Sequence, residues 1–308
     1  MRGPEQVGLL ERLAQEIIPE SKLLRAWPLK GGVSAQVTAL EVREPDGSTT
    51  RLVVREHGNA DRARNPNIAA DEFKLLKMLK SAGLPVPEPL YLGAAGEISE
   101  SPFIVVAFID SDTASAPTDQ DALTREVAAQ LARIHAVDIS TLDPSFLPEQ
   151  EELIALKLQH HPSKLDESLQ EGRIRDLLEP VWPLPHRNRA VLLHGDFWPG
   201  NLLWREDQLV GIIDWEDAAL GDPLADVANT RLELLWALGS EAMQSFTRHY
   251  AVLTRVDFTD LPYWDLYAAL RPASRLSSWG LDAVTTERFQ ERHRLFTAQA
   301  IRRLPTTT

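Results

Sequence analysis

Three polar side chains in the second half of the chain have the types and the spacing that phosphoryl transfer requires. Asp196 and Asn201 are five residues apart, and Asp214 follows the next apolar run. Residues 202–204 and 209–213 are typical of two short strands joined by a polar turn. Such a hairpin brings Asn201 and Asp214 together at its open end, beside Asp196. A carboxylate at Asp196 can orient the proton of an attacking hydroxyl, and the other two side chains offer hard oxygen ligands to Mg²⁺ on phosphates.

Three motifs occur in order around these residues. They are His194-Gly-Asp196-x-x-x-x-Asn201, Ile212-Ile-Asp214-Trp-Glu and Gly221-Asp222-Pro223-x-x-Asp226. Together they resemble the aminoglycoside phosphotransferase family, which is similar to choline kinase and, more remotely, to protein kinases. His-Gly-Asp stands where protein kinases have His-Arg-Asp, and Asp214-Trp215 stands where they have Asp-Phe-Gly.

The resemblance implies an α+β, protein-kinase-like fold with a small β-rich N-terminal lobe and a larger α-helical C-terminal lobe. It implies an Mg²⁺-dependent enzyme that moves the γ-phosphate of ATP or GTP to a hydroxyl of a small molecule. Asp196 would be the catalytic residue, and Asn201 and Asp214 would hold the metal. Family members phosphorylate aminoglycosides, amino alcohols, amino acids and sugars, and the sequence does not choose among these acceptors or between the two nucleotides.

The secondary-structure pattern agrees with two lobes. In the first third, strand signals at 24–29, 35–42 and 50–56 precede a helix over 68–81 and two more strands. After an Asp-, Ser- and Pro-rich stretch at 110–119 the pattern is mostly helical. We therefore expect a nucleotide-binding lobe over residues 1–110, and over residues 111–308 a helical lobe with the catalytic loop and the acceptor pocket.

A glycine pair joins the first two predicted strands. Gly31 and Gly32, followed by Ser34, lie where the family has its phosphate-covering loop. Adjacent glycines let backbone N–H groups approach a phosphate closely, although a glycine pair is also an ordinary turn.

Arg55 lies in the third predicted strand, where a kinase carries a lysine that holds the phosphates and pairs with a helix glutamate. An arginine keeps its charge and can hold a phosphate with two hydrogen bonds. Glu72 on the following helix is the expected partner, and Asp71 is the competing candidate. A surface ion pair of little energetic value is the alternative.

Several neighbouring polar residues favour a supporting role. We expect His194 to brace the catalytic loop and Asp222 to cap the helix that begins at Leu224. The resemblance implies that Asp222 also ties down the catalytic loop, and for both Asp222 and Asp226 a structural role is favoured over catalysis. Glu216 and Asp217 could face a substrate amine or lie in a solvated loop.

The acceptor pocket is expected on a helix predicted over 264–279. Trp264, Tyr267 and Arg271 share one face of that helix. Core packing explains the aromatic residues equally well, and the arginines argue against a purely cationic acceptor. The further candidates on this segment are Asp265, Arg275 and Trp279.

Composition excludes several classes of protein. The 308 residues carry a formal net charge of −13, which argues against nucleic-acid binding. The chain has no cysteine, so disulfides, thiolate nucleophiles and Cys-ligated zinc are excluded. No membrane span or signal segment is visible, and we expect a soluble, cytoplasmic protein whose partners are a nucleoside triphosphate and a small hydroxylated acceptor.

Two other functions are compatible with parts of this pattern. A pseudokinase-type binding or regulatory protein could keep the fold, but it would be expected to lack one of Asp196, Asn201 and Asp214. A metal-dependent phosphohydrolase would need more converging His and Asp ligands than this segment supplies.

Overall fold

The computed structural model describes residues 4–29, 35–112, 116–141, 143–274, 276 and 279–305. Gly31, Gly32, Ser34 and Arg275 lie outside the described residues. The chain divides into two compact units, Met1–Asp112 with Val210–Ile213 and Thr113–Leu209 with Asp214–Thr308.

An antiparallel sheet of five strands is the centre of the first unit, as expected for a β-rich N-terminal lobe. Its strands in chain order are β1 (Lys22–Pro28), β2 (Ala35–Arg43), β3 (Thr49–His57), β4 (Pro89–Gly93) and β5 (Phe103–Ala107). They are arranged in the order β1-β2-β3-β5-β4. Gly47, with φ +87°, allows the tight turn that joins β2 to β3, where Glu44 N–H donates to the Ser48 carbonyl.

The two faces of β3 have different partners. Leu52 and Val54 point to one face, where they form a buried apolar cluster with Leu10 and Leu13 of helix α1 (Pro4–Ile17). Since side chains alternate along a strand, Arg55 points to the opposite face. The alternation of side chains along β3 therefore places the apolar core on one face of the strand and Arg55 on the other.

Helix α3 (Ile68–Ser81) follows the short helix α2 (Asn59–Arg64) and matches the predicted bounds. Gly83, with φ +77°, ends it: Leu84 N–H donates to the Leu79 carbonyl and Gly83 N–H to the Lys80 carbonyl. A left-handed residue just past the helix satisfies carbonyls that the last turn leaves open.

The second unit is mostly helical, with seven α-helices among its described residues. They are α4 (Gln120–His135), α5 (Gln150–Gln159), α6 (Glu171–Leu178), α7 (Leu224–Leu238), α8 (Ser240–Leu253), α9 (Leu261–Leu270) and α10 (Ala283–Arg302). Helix α7 is central, because 12 of its 15 residues are buried. A helix buried on nearly every side belongs to the core of its unit.

One predicted helix is too long. The pattern predicts a helix over 264–279, but α9 ends at Leu270. Pro272 explains the difference, because proline has no N–H to donate to the carbonyl four residues earlier and its ring clashes with that carbonyl. Arg271 is therefore the residue that follows α9 rather than part of its regular face.

Short strands interrupt the helices where the motifs lie. Strand β6 (Val191–Leu193) pairs antiparallel with β9 (Ala219–Gly221), and β7 (Leu202–Arg205) forms a hairpin with β8 (Gln208–Ile212). The sequence does not predict β9, since three residues are too few to show a period. None of the helices in the described part of the chain is long and apolar enough to span a membrane.

Candidate active site

A sharp turn follows β6 and requires a glycine. Gly195 has φ +82°, and an ideal Cβ there would lie 2.0 Å from the Asp217 carbonyl oxygen. Any other residue would meet both backbone strain and a clash with main chain. The glycine of the His-Gly-Asp motif is thus fixed by the close approach of the segment that carries Asp217.

Asp226, in the first turn of α7, anchors this turn. Its carboxylate accepts hydrogen bonds from His194 N–H at 2.7 Å and from Gly195 N–H at 2.9 Å. His135 Nε2 lies 3.3 Å from the same carboxylate, and His135 Nδ1 lies 2.6 Å from the Tyr250 hydroxyl. Burial opposes ionisation of Asp226, but the bonds from His135 and the backbone outweigh it and lower the pKa of the carboxyl.

His194 is fully buried, and its contacts are with the loop itself. The ring centroid lies 4.4 Å from that of Trp215 and 5.6 Å from that of Phe197. His194 Nδ1 accepts a hydrogen bond from Asp196 N–H at 3.2 Å. These contacts suit the bracing role expected from the motif.

Asp196 and Asn201 lie within hydrogen-bonding distance. The Asn201 side-chain amide donates to the Asp196 carbonyl at 2.9 Å and lies 3.3 Å from Asp196 Oδ2. Asn201 is buried, whereas the Asp196 side chain is 35 % exposed. Partial burial raises the pKa of Asp196, and the guanidinium of Arg271 and the amide of Asn201 act against this.

Asp214 comes shortly after β8 and has φ +69°. The left-handed region is uncommon for residues other than glycine and costs on the order of 1–3 kcal/mol. Strain of this kind, held at a motif residue, is typical of a functional position.

The oxygen donors of Asn201 and Asp214 are of the chemical type that Mg²⁺ prefers. The Asn201 amide nitrogen is engaged with Asp196, so the amide oxygen is the atom left for a ligand. In the part of the chain that the structure describes, no group of three or more His, Cys, Asp or Glu is arranged to hold a metal. A magnesium ion here would therefore take its other ligands from phosphate and water, as is common for this ion.

Two more charged groups lie near Asp196. Arg271 Nη2 is 3.9 Å from Asp196 Oδ1 and also 3.9 Å from Asp217 Oδ2. Burial raises the pKa of Glu233, on α7, to about 8, with the charge of Asp196 acting in the same direction and Arg271 against it. The motifs do not single out Glu233, because it lies inside an apolar helix outside all three of them.

Arg55 and Glu72 lie together in the first unit. Arg55 Nε is 3.3 Å from Glu72 Oε2, and both side chains are largely buried. His57, two residues along the same face of β3, places Nε2 2.9 Å from the same Glu72 oxygen. Asp71, the competing candidate, instead accepts a hydrogen bond from Asn65 at 2.8 Å. His57 could have been found from the i, i+2 spacing with Arg55.

The other candidates have structural partners. Asp222 accepts from Leu224 N–H at 2.9 Å and from the Asn188 amide, but the N-cap position of α7 is Pro223. The tie to the catalytic loop that was expected of Asp222 is made by Asp226 instead. Asp265 forms a buried two-point ion pair with Arg231, at 2.9 and 3.0 Å, so it faces the core. Trp264 packs edge-on against Trp182.

Comparison with known proteins decides the family. The sequence pattern of the phosphotransferase enzyme family matches residues 27–270, which is most of the chain. The chain belongs to this family. The predicted aminoglycoside phosphotransferase resemblance and the kinase-like α+β fold are thereby confirmed.

Relatives within and beyond the phosphotransferase family are similar over parts of the chain. Acyl-CoA dehydrogenase family member 10 of Mus musculus is 28 % identical over 191 residues, 58 % of this chain and 18 % of the relative. This chain therefore spans less than a fifth of that protein's length. Viomycin phosphotransferase of Streptomyces vinaceus is 30 % identical over 167 residues, 47 % of this chain and 55 % of that enzyme.

A solved phosphotransferase supports the fold over nearly the full chain. The GDP and kanamycin complex of an APH(2") enzyme has a TM-score of 0.64 and 20 % identity, covering 96 % of this chain and 98 % of its own. The family match and this likeness together establish a kinase-like phosphotransferase fold.

Proposed function

We propose that this phosphotransferase moves the γ-phosphate of ATP or GTP to a hydroxyl of a small molecule, with Asp196 as the catalytic residue. The observation that carries the proposal is the pattern of hydrogen bonds around the Asp196 carboxylate. Within the described residues its Oδ1 makes no direct hydrogen bond, while Asn201 holds the main chain and Oδ2 on the other side. The Asp196 side chain is thus held in position, and its Oδ1 is available to a hydroxyl of the acceptor.

Asp196 Oδ1 can take up the proton that the acceptor hydroxyl loses during phosphoryl transfer. The acceptor oxygen bonds to the γ-phosphorus as the bond from that phosphorus to the bridging oxygen breaks. The nucleoside diphosphate leaves with the electron pair, and the hydroxyl proton goes to Asp196 Oδ1. Because the anchor at Asp226 fixes the loop, positioning supplies part of the rate.

Metal binding is proposed for Asn201 and Asp214. Mg²⁺ bound there would neutralise charge on the transferred phosphate. The protein's own contribution is to fix two oxygen donors, one through the Asn201–Asp196 bond and one through the left-handed backbone of Asp214.

For the nucleotide we propose Arg55 as the phosphate-binding residue of an N-terminal lobe over residues 1–110, positioned by Glu72. Gly31, Gly32 and Ser34 are proposed to cover the phosphates. The acceptor pocket is proposed in the helical lobe over residues 111–308.

The test is Asp196→Asn, which keeps the size and loses the charge. Turnover should fall about 10²–10⁴-fold, the usual contribution of a general base. Affinity for Mg-nucleotide, measured by calorimetry, should scarcely change, since other residues hold it. Asp214→Ala is the matched control and should lose the metal-dependent part of that affinity. Full turnover in Asp196→Asn would refute the proposal.

A further inference from the structure

Arg271 holds an unusual position beside the proposed catalytic residue. It follows α9, its side chain is 26 % exposed, and its Nη2 is 3.9 Å from both Asp196 Oδ1 and Asp217 Oδ2. These distances allow electrostatic attraction but are too long for hydrogen bonds.

Among the described residues of this unit, two buried arginines have full sets of hydrogen bonds. Arg231 binds both oxygens of Asp265 and the Thr247 hydroxyl. Arg175 donates to Glu171, to Glu179 and to backbone carbonyls at the end of α5. Such bonds are what a buried guanidinium needs for stability.

Arg271 has no such set of bonds. Within the described residues, its guanidinium makes no direct hydrogen bond, and it is exposed enough for a ligand to reach it. Five N–H donors in a planar fork are therefore available within a few ångströms of the reacting carboxylate. That fork matches a carboxylate or a phosphate with two parallel hydrogen bonds.

The positive charge and the open donors of the Arg271 guanidinium favour an anionic group at this fork. Glu233, whose pKa is raised to about 8, is mostly uncharged at neutral pH. Among the described residues, the carboxylates of Asp196 and Asp217 lie 3.9 Å from Arg271 Nη2 and Asp226 adds negative charge, but none of the three forms a hydrogen bond with the guanidinium. A cationic group placed against Arg271 would meet like charge, whereas an anionic group would complete the hydrogen bonds of the guanidinium.

We infer that the acceptor carries an anionic oxygen group, a carboxylate or a phosphate, near its reactive hydroxyl, and that Arg271 binds this group. The inference rests on the proposed function and names the substrate class of the same site. It makes Arg271 a specificity-determining residue, in contrast to the cationic kanamycin in the fold relative's complex.

The test uses hydroxylated skeletons of increasing size, each offered in four forms: carboxylate, phosphate ester, neutral alcohol and amine. Glycerate, glycerol phosphate, glycerol and aminopropanediol are the smallest set. Nucleotide consumption above the water blank is the readout. One anionic form should exceed its neutral twin in kcat/KM by roughly 10- to 100-fold, the value of a charge-assisted hydrogen bond. The two anionic arms show which group the site takes.

Variants of Arg271 test whether this residue causes the preference for an anionic acceptor. Arg271→Gln should reduce the anionic preference toward one, and Arg271→Lys should keep part of it, because lysine keeps the charge without the fork. Arg248→Gln removes the same charge from an exposed position on α8 and should leave the preference as it is. Asp217→Asn does not alter the arginine and should strengthen the preference, since one competing carboxylate is lost.

Either of two results would overturn the inference: neutral or amine forms that equal the anionic ones, or an anionic preference that survives Arg271→Gln. Calorimetry with Mg-nucleotide separates this from failure of the proposed function. A chain that binds no nucleotide contradicts the proposed function, whereas a chain that binds nucleotide but prefers cationic acceptors contradicts only the role of Arg271.

Discussion

Asp226 and Asp196 serve the same loop, but their surroundings are opposite. Asp226 is buried and accepts bonds from two backbone N–H groups and lies beside His135, and its pKa is lowered. Asp196 is partly exposed, has one long side-chain bond from Asn201, and its pKa is raised. The first carboxylate is stabilised as an anion by the fold, and the second is not.

This contrast separates the carboxylate that supports the catalytic loop from the one that we propose acts in catalysis. A carboxylate whose hydrogen bonds are complete holds a loop in place, while one left incomplete is available to a substrate. Arg231 and Arg271 repeat the contrast among the cations of the second unit, since the first has a full set of bonds and the second does not. Active sites are expected where the hydrogen bonds of charged side chains are incomplete.

The largest effect is expected at Asp226. Asp226→Ala leaves two buried N–H donors and the His135 ring without their acceptor, and removing one partner of a buried charged network costs about 3–5 kcal/mol. The free energy of unfolding from urea titration measures this, and turnover should be lost with it. A loss below about 1 kcal/mol, the typical scale of a single neutral hydrogen bond, would break the contrast.

A smaller effect is expected in the first unit, where Glu72 lies beside Arg55 and His57. Arg55→Ala should weaken nucleotide binding by roughly 10-fold or more, the value of a charge-assisted hydrogen bond. Glu72→Ala should weaken it less, because Glu72 acts through Arg55. Calorimetry on the double variant shows whether Glu72 acts through Arg55 or independently of it. A loss of nucleotide affinity no greater than that of Arg55→Ala supports the pairing, and strictly additive losses of affinity contradict it.

A further effect is expected at Glu233 and depends on pH. Its pKa is about 8 in the folded chain and near the ordinary glutamate value when unfolded. The folded state then binds more protons between these values, so this group's contribution to the free energy of unfolding falls as pH rises from about 5 to 8.

Glu233→Gln removes that contribution. Relative to the variant, the wild-type chain should lose stability across this interval, measured by urea titration at several pH values. Parallel pH profiles for the two proteins would show that Glu233 titrates normally, and the charge balance drawn around Arg271 would need revision.

Sequence reasoning predicts the elements of this molecule better than its side-chain networks. Helix α3 has the bounds that the sequence predicts, and the kinase-like fold follows from ordered motifs. Residues that act through distant partners escape it, because His135 meets Asp226 and Tyr250 meets His135 only after three helices pack. Arg271 was assigned to a helix face that Pro272 interrupts, so its position beside Asp196 required the folded chain.

Asp196→Asn tests the central claim most directly when its free energy of unfolding is compared with that of the wild-type chain. The Asn201 amide can still donate to the main-chain carbonyl of residue 196, and no buried donor loses its partner. The account predicts a free energy of unfolding that is unchanged within about 1 kcal/mol, or higher, because a partly desolvated charge is removed. A decrease as large as that of Asp226→Ala would contradict it, since Asp196 would then be part of the loop's support.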